Sequence, residues 1–300
     1  MHWHILGAGA MGCLFAAQLD RQKIPLTLLL RSTKENQSEI TLDIEGVSGA
    51  SQHQLAVQAC SAKGQIDYLL VMTKAYDVLP AVTSVVQRLS PQSVILLLSN
   101  GIGFAEQIQR NHPQLQLALG TTTEGAFRRG PWQIQHAGLG STRIGQAATT
   151  ATPAWFEDWR SSLSDCHWDR QISAAQWRKL AINCAINPLS ALEGCRNGEL
   201  ASKPALAAKV RELCAEMTLI GQAAGQCAAV SGLEHKVFEV IKATAANRSS
   251  MLQDITAGRR TEIDYINGYA DRCARQFAVE APLNRELLEA LRQLEQARFP

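Results

Sequence analysis

A two-part chain of the α/β class is predicted by three features of the sequence. Short aliphatic runs alternate with helix-like stretches through the first half, the pattern of a parallel sheet with crossover helices. A glycine-rich turn, Gly7-Ala8-Gly9-Ala10-Met11-Gly12, lies between the first run and the first helical stretch. In the second half the strand-like runs cease and long segments of helical periodicity replace them.

The elements follow in order. Residues 3–6, 26–30, 68–72, 94–98 and 117–119 read as buried strands, each short and rich in aliphatic side chains. Residues 10–20 and 78–89 read as crossover helices between them. Residues 40–57 read as a strand pair turning at Gly46 and Gly49. A second such pair is expected from 132–134 and 142–144, in a region punctuated by Gly125, Gly130, Gly138 and Gly140. The pattern changes near 149–153. After a last strand near residue 166, segments 174–192, 203–224, 234–245 and 283–297 read as helices. Pro204 suits the first turn of the second of these, where its missing N–H has no helical partner to lose. The boundary is placed near 167, giving an α/β domain over 1–167 and an all-helical domain over 168–300.

Composition narrows the function. Apolar residues make up 46% of the chain, and 29 basic against 27 acidic residues leave a net charge of +2. That balance does not suit a nucleic-acid surface. None of the eight cysteines forms a C-x-x-C pair or has histidines at zinc-ligand spacing, so no metal is expected and the thiols fit a reducing compartment. No aliphatic run reaches the roughly 18 residues of a membrane span. A strand begins at the N-terminus, leaving no room for a signal peptide. The expectation is a cytoplasmic protein that takes a small molecule and binds neither nucleic acid nor membrane, as a monomer or a homodimer.

The glycine turn fits the dinucleotide fingerprint in its required setting, after a strand and before a helix, so the first domain is expected to be Rossmann-type. Gly7 allows the tight turn, Gly9 lets the backbone approach a pyrophosphate, and Gly12 lets helix and strand pack closely. Ala8, Ala10 and Met11 complete the loop, and the helix N-terminus offers free N–H groups to the phosphates. Such folds usually carry an acidic residue roughly 20 residues further on, to hold the ribose 2′-hydroxyl. Here that place, after the run 26–30, belongs to Arg31. A guanidinium pairs with a 2′-phosphate through parallel hydrogen bonds, whereas a carboxylate repels it. Lys74 lies just past the strand 68–72, on the same sheet edge. The expected cofactor is therefore NADPH/NADP+. Asn100, in Ser99-Asn100-Gly101-Ile102-Gly103, ends the next strand near the expected nicotinamide end.

Lys179, Asn183 and Asn187 recur at a spacing that stacks them on one helix face. Their neighbours Leu180, Ile182, Ala185 and Ile186 are apolar, so the three polar side chains need partners or a polar cleft. Pro188 removes a donor and exposes the carbonyl of Cys184. Asn197 lies in the turn signature Cys195-Arg196-Asn197-Gly198. Ser249-Ser250 can cap a helix beginning near Met251, and a substrate carboxylate could accept hydrogen bonds from that end. The ladder suits ketone reduction: an ammonium can stabilise the charge that builds on a carbonyl oxygen and then protonate it, provided that burial depresses the lysine pKa.

Taken together, the chain resembles the ketopantoate reductase (2-dehydropantoate 2-reductase) family over nearly its full length. The resemblance is carried by the glycine loop, Thr73-Lys74-Ala75, Ser99-Asn100-Gly101, Gly120-Thr121-Thr122-Thr123 and the Lys179/Asn183/Asn187-Pro188 ladder. The most specific stretches are Ser249-Ser250-Met251-Leu252-Gln253-Asp254-Ile255 and Arg260-Thr261-Glu262-Ile263-Asp264-Tyr265-Ile266-Asn267-Gly268. The resemblance implies a Rossmann-type domain, an all-helical domain and an active site in the cleft between them. It implies NADPH-dependent reduction of the 2-ketone of ketopantoate to (R)-pantoate, for pantothenate and coenzyme A synthesis. Lys179 falls on the family's general acid, and Glu262 on a second active-site residue that supports the lysine and the bound ligands. Asn183, Asn187, Asn197 and Ser250 fall on substrate contacts, Arg31 and Lys74 on 2′-phosphate contacts, and Asn100 on a residue by the nicotinamide within reach of substrate and cofactor. Segment 124–130 and the cysteine-rich helical half are individual to this chain. Two other readings stand beside this one: a sister reductase acting on another 2-keto acid, and a non-catalytic NADP(H)-binding sensor, which should lack a general acid.

Overall fold

The computed structural model describes residues 1–33, 37–146 and 151–298. Residues 149 and 150, where the sequence pattern begins to change, lie outside the described residues. The chain divides into two compact units. The first comprises Met1–Ser99 and Phe104–Ser173, and the second comprises Asn100–Gly103 and Ala174–Pro300. The main division thus falls a few residues past 167, and a four-residue loop goes with the helical unit.

The first unit is built on strands β1 (Trp3–Leu6), β2 (Leu26–Leu30), β3 (Glu39–Gly46), β4 (Ser51–Ala59), β5 (Ile66–Val71), β6 (Leu89–Leu97), β7 (Gln116–Thr122), β8 (Gly125–Gly130), β9 (Gln133–Gly138), β10 (Thr142–Gly145) and β11 (Cys166–Trp168). They form one sheet in the order β11-β10-β7-β6-β5-β1-β2-β4-β3-β9-β8. From β7 through β4 every neighbouring pair is parallel. Strand order reverses between β1 and β5, the switch point outside whose carboxyl ends open α/β sheets bind ligands. Helices α1 (Ala10–Arg21), α2 (Ala75–Val85), α3 (Phe104–Asn111) and α4 (Phe156–Ser162) belong to this unit. Trp3 is fully buried and packs edge-on against Trp155 and Trp159, with ring centroids 5.9 and 4.9 Å away. Its Nε1 donates to Asp158 at 3.0 Å, fixing α4 against the first strand.

Two expectations change. The helix expected over 78–89 starts earlier, at Ala75, and gives way to a 3-10 turn over Val86–Arg88. Ala75 is buried and Asp77 sits in the first turn, where a carboxylate favours the helix dipole. The strands near 132–134 and 142–144 exist but do not pair with each other. Strand β9 pairs with β8 and β3, whereas β10 pairs with β7 and β11. The alternation in segment 124–130 is too weak to show β8 as a strand, and β8 takes the place of partner to β9.

The second unit contains the rest of α5 (Ile172–Leu192), then α6 (Glu199–Ser202), α7 (Pro204–Ala223), α8 (Cys227–Val230), α9 (Leu233–Ala243), α10 (Ser250–Thr256), α11 (Asn267–Gln276) and α12 (Pro282–Arg298). Their apolar faces share one core that includes Leu180, Cys184, Met217, Val237, Ile241 and Leu287. Pro188 lies inside α5, so the Cys184 carbonyl lacks its helical donor. Asn267 supplies one: its Nδ2 donates to that oxygen at 3.3 Å and to Asn284 Oδ1 at 2.9 Å. Glu216, almost fully buried on α7, accepts the backbone N–H groups of Leu283 and Asn284 at 2.8 Å each. These are first-turn donors of α12 with no helical acceptor. Glu216→Ala is therefore expected to destabilise the protein by about 2 kcal/mol, the scale for leaving buried donors unmet. The check is a lower urea midpoint with an unchanged slope.

Candidate active site

The glycine loop follows β1, between the ends of β2 and β5. Gly7 has φ +100°, and a Cβ there would come within 2.6 Å of the Met72–Thr73 backbone. A Cβ on Gly12 would collide with the Gly7 carbonyl. Both glycines are thus demanded by the protein's own packing. Gly9 is different: an added Cβ would meet no atom nearer than 4.0 Å. The space above Gly9, next to the uncapped N-terminus of α1, suits the approach of a dinucleotide pyrophosphate. Loop and helix start therefore fit the expected cofactor.

Arg128 is a residue that sequence reasoning missed. It stands on β8, is exposed, and donates from Nη2 to the carbonyl of Ala8 in the glycine loop. Cys13 lies in the same cluster: burial pushes its thiol up to about 11 while Arg128 opposes the shift. The guanidinium has no ion-pair partner among the described residues. Its only sequence signal was a basic pair, Arg128-Arg129, in a glycine-bounded segment.

Arg31 follows β2 and Lys74 immediately precedes α2. Arg31 is exposed and pairs with Asp77 of α2 at 3.0 Å, and the Asp77 amide donates to the Lys74 carbonyl at 2.8 Å. Ser99 donates its hydroxyl to the Thr73 carbonyl at 2.8 Å, tying the end of β6 to the end of β5. The predicted cations therefore sit at the ends of the two strands that flank β1.

The second unit brings three predicted residues into direct contact. Lys179 Nζ donates to Asn100 Oδ1 at 2.8 Å, and Asn100 Nδ2 donates to Glu262 Oε2 at 3.2 Å. Glu262 is 4% exposed and precedes a 3-10 turn over Ile263–Tyr265. The loop carrying Asn100 is pinned to that turn. Ile102 N–H donates to the Tyr265 carbonyl at 3.1 Å. Gly101 has φ +80°, and a Cβ there would come within 2.6 Å of the same carbonyl. Part of the Lys179 surface remains open, yet enough protein surrounds the ammonium that lost hydration dominates. Burial pushes its pKa down to about 8, and Glu262 partly offsets the shift.

The remaining predicted residues extend from this centre. Asn183 is half-buried and Asn187 is buried further along α5. Their side-chain amides make no hydrogen bond among the described residues. Ser190 donates to the Asn187 carbonyl at 3.0 Å and to Ser249 Oγ at 2.6 Å. Ser249 alone caps α10, accepting from Leu252 N–H at 3.1 Å. Ser250 is the first residue of that helix and is exposed. Asn197 donates from Nδ2 to Thr244 Oγ1 at 2.9 Å, and its Oδ1 is buried with no partner among the described residues.

The comparisons with known proteins agree with one another. Residues 3–149 match the family described as ketopantoate reductase PanE/ApbA, and residues 171–295 match that family's C-terminal model. A 2-dehydropantoate 2-reductase of Vibrio cholerae is 33% identical, with 98% of this chain and 97% of that relative covered. Another from Shigella flexneri is 37% identical, with 97% and 94% covered. A solved PanE/ApbA family ketopantoate reductase from Ralstonia eutropha shares the fold, with a TM-score of 0.87 at 24% identity and 99% of both chains covered.

The position of Asn100 rests on Gly101. Gly101→Ala combines a left-handed backbone with a clash against Tyr265 and is expected to cost about 1–3 kcal/mol, read as a lower Tm. In the same variant Lys179 loses its amide acceptor. The ¹⁵N resonance of the lysine side chain is expected to shift, because the Asn100 side-chain oxygen no longer accepts from Nζ.

Proposed function

The chain belongs to the PanE/ApbA ketopantoate reductase family, and from that premise we infer that it reduces 2-dehydropantoate (ketopantoate) to (R)-pantoate with NADPH, a step of pantothenate and coenzyme A synthesis, with Lys179 as general acid. The observation that carries the residue assignment is the Lys179–Asn100–Glu262 contact, an enclosed ammonium held by an amide beside a carboxylate. A sensor that holds the coenzyme without turnover has no use for such a group.

Residues 1–167 serve as the coenzyme domain and 168–300 as the substrate and catalytic domain. NADPH, when bound, supplies the hydride that reduces C2 of the keto acid. The loop Gly7 to Gly12 and the start of α1 hold its pyrophosphate, and Arg31 with Lys74 hold its 2′-phosphate. Arg128, beside Ala8, adds a positive charge next to the pyrophosphate. Lys179 donates a hydrogen bond to the ketone oxygen, stabilises the negative charge that builds there, and delivers its proton to that atom. Asn100 fixes the direction of the ammonium, and Glu262 keeps it charged in spite of burial. Asn183 and Asn187 present amides to the substrate's oxygens, and Ser250 presents a hydroxyl. The buried Oδ1 of Asn197 is an acceptor suited to a substrate hydroxyl.

The test is NADPH oxidation, followed by absorbance, with ketopantoate and a panel of other 2-keto acids. Turnover is expected with ketopantoate, and Lys179→Ala should lose roughly 10²-fold or more in kcat, the scale of general-acid removal. A wild-type protein that binds NADPH but oxidises it with no keto acid defeats the reading; preference for another keto acid makes it a sister reductase.

The pH dependence follows from the sign of the lysine shift. Lys179 acts in its protonated form, so kcat/KM is expected to fall as pH rises through about 8. Glu262→Gln removes the carboxylate that raises this pKa, so the falling limb should move to lower pH. Coenzyme choice gives a further measurement. Arg31→Ala should narrow the NADPH/NADH ratio of kcat/KM, whereas Arg128→Ala should weaken both coenzymes by similar factors, because both carry the pyrophosphate.

A further inference from the structure

Glu262 lies between α10, which ends at Thr256, and the 3-10 turn that begins at Ile263. Thr261, the residue before it, is 1% exposed, and a backbone N–H buried that far needs an acceptor. The last helix supplies one from a side chain: Glu295 of α12 accepts the Thr261 N–H on Oε1 at 2.6 Å. Thr261 Oγ1 in turn accepts the N–H of Ile263 at 3.2 Å. The residues on either side of Glu262 are thus tied to each other and, through Glu295, to α12.

Three residues earlier on the same helix, Arg292 donates from Nε and Nη2 to Asp264 Oδ1 at 2.8 and 2.7 Å. Residues three apart share a helix face, so one face of α12 grips the chain before and after the Glu262 carboxylate. The two grips differ. Arg292 is exposed, and Asp264 is also held by Arg260 Nη2 at 3.0 Å, so the loss of Arg292 leaves a second tie. Glu295 is half-buried, and its bond ends on a buried donor. A charged acceptor makes the stronger kind of hydrogen bond, and removing it leaves the Thr261 N–H unmet. Thr261 is one residue from Glu262, so a shift of its backbone carries the carboxylate with it. Glu262 Oε2 accepts from Asn100 Nδ2, and Asn100 Oδ1 accepts from Lys179 Nζ. The chain of contacts therefore runs from α12 to the ammonium.

We propose that Glu295 is a positioning residue of the reduction: from α12 it sets where the Glu262 carboxylate stands and, through Asn100, the direction of the Lys179 ammonium. This role rests on the reading of Lys179 as general acid. Glu295 acts through the bond that it accepts and not through its own charge; Glu262 is the carboxylate that raises the Lys179 pKa against burial.

The test takes the full-length protein and three variants at this position. Glu295→Ala removes bond and charge, Glu295→Gln keeps an accepting oxygen without the charge, and Glu295→Asp keeps the charge one methylene short of the amide. With ketopantoate and NADPH, at a pH well below the falling limb, Glu295→Ala is expected to lose roughly ten- to a hundredfold in kcat, the scale for a displaced reacting group, with the KM for NADPH unchanged. The Lys179 side chain is titrated by ¹⁵N NMR without substrate, its signal assigned by its loss in Lys179→Ala. In Glu295→Ala that titration is expected to fall by about half a pH unit or more as Glu262 draws away. Glu295→Gln is expected to stay close to native in both measurements. Where Glu295→Ala folds poorly, Glu295→Asp is expected to show the same two changes and decides in its place. The proposal is overturned by a lower Tm with native kcat and native Lys179 titration, which makes Glu295 a structural tie only. It is overturned equally by Glu295→Gln failing as badly as Glu295→Ala, which makes the charge the cause. A wild-type protein that reduces no keto acid, yet whose Lys179 titration moves in Glu295→Ala, sinks the reductase reading and leaves the tie between Glu295 and Glu262 standing.

Discussion

The amide of Asn100 is the contact on which the proposed chemistry of the helical unit depends. It faces a donor and an acceptor at once, with Oδ1 toward the Lys179 ammonium and Nδ2 toward Glu262. Only one orientation of the amide satisfies both, so the network assigns it. An ammonium in this position faces two opposed demands. Burial favours the neutral amine, which cannot protonate an oxyanion. The nearby Glu262 carboxylate favours the charged form. Burial lowers the pKa and the charge of Glu262 partly offsets the fall, leaving it at about 8, close to where a general acid works best.

That arrangement requires the chain to place a short loop against a different unit from the strand it follows. β6 ends inside the parallel sheet, yet residues 100–103 count with the helices. Glycines at 101 and 103, both with positive φ, permit the departure. Gly101 lies against the Tyr265 carbonyl, and a Cβ added at Gly103 would come within 3.0 Å of the Tyr269 ring. The segment Glu262–Tyr269 thus carries both the carboxylate and the surface that receives the loop. Pro188 and Asn267 give that segment its footing. The carbonyl freed by the proline becomes an anchor for α11, so a break in the helical bonding of α5 fixes the neighbour from which the Glu262 turn hangs.

Much of this was legible in residue spacing, and the rest was not for identifiable reasons. The glycine loop declares itself because Gly7 and Gly12 answer steric demands of the packing, while Gly9 leaves open space beside the helix start. The Lys179, Asn183, Asn187 ladder shows because polar residues at helical spacing interrupt an apolar face. By contrast, the sequence shows where a strand ends but not what its last residue will touch, so the bond between Asn100 and Lys179 could not be derived from either segment alone. The family resemblance supplied Glu262, which read by itself as an ordinary exposed glutamate and is buried. Strand β8 and its Arg128 were missed because Gly125-Ala126-Phe127-Arg128-Arg129-Gly130 carries almost no alternation. That strand is specified by its partner β9 and not by its own pattern. Asp77 went unread because its partner, Arg31, lies on another element.

Asp77 bears on coenzyme choice. On the proposed role of Arg31, a 2′-phosphate has to compete with its carboxylate partner Asp77 for the guanidinium. The competition is unequal. The pair is exposed, with Arg31 88% accessible, and exposed pairs contribute little to stability. Asp77 has a second source of stabilisation in the N-terminal turn of α2, so it loses little when Arg31 turns away. A phosphate dianion offers more charge and more oxygens to the same fork. The carboxylate therefore holds the arginine at the end of β2, beside Lys74, without excluding the phosphate. A coenzyme with a bare 2′-hydroxyl offers no comparable attraction, and Arg31 stays with Asp77. Selectivity on this account is a difference between two partners of one guanidinium, one supplied by the protein and the other by the coenzyme.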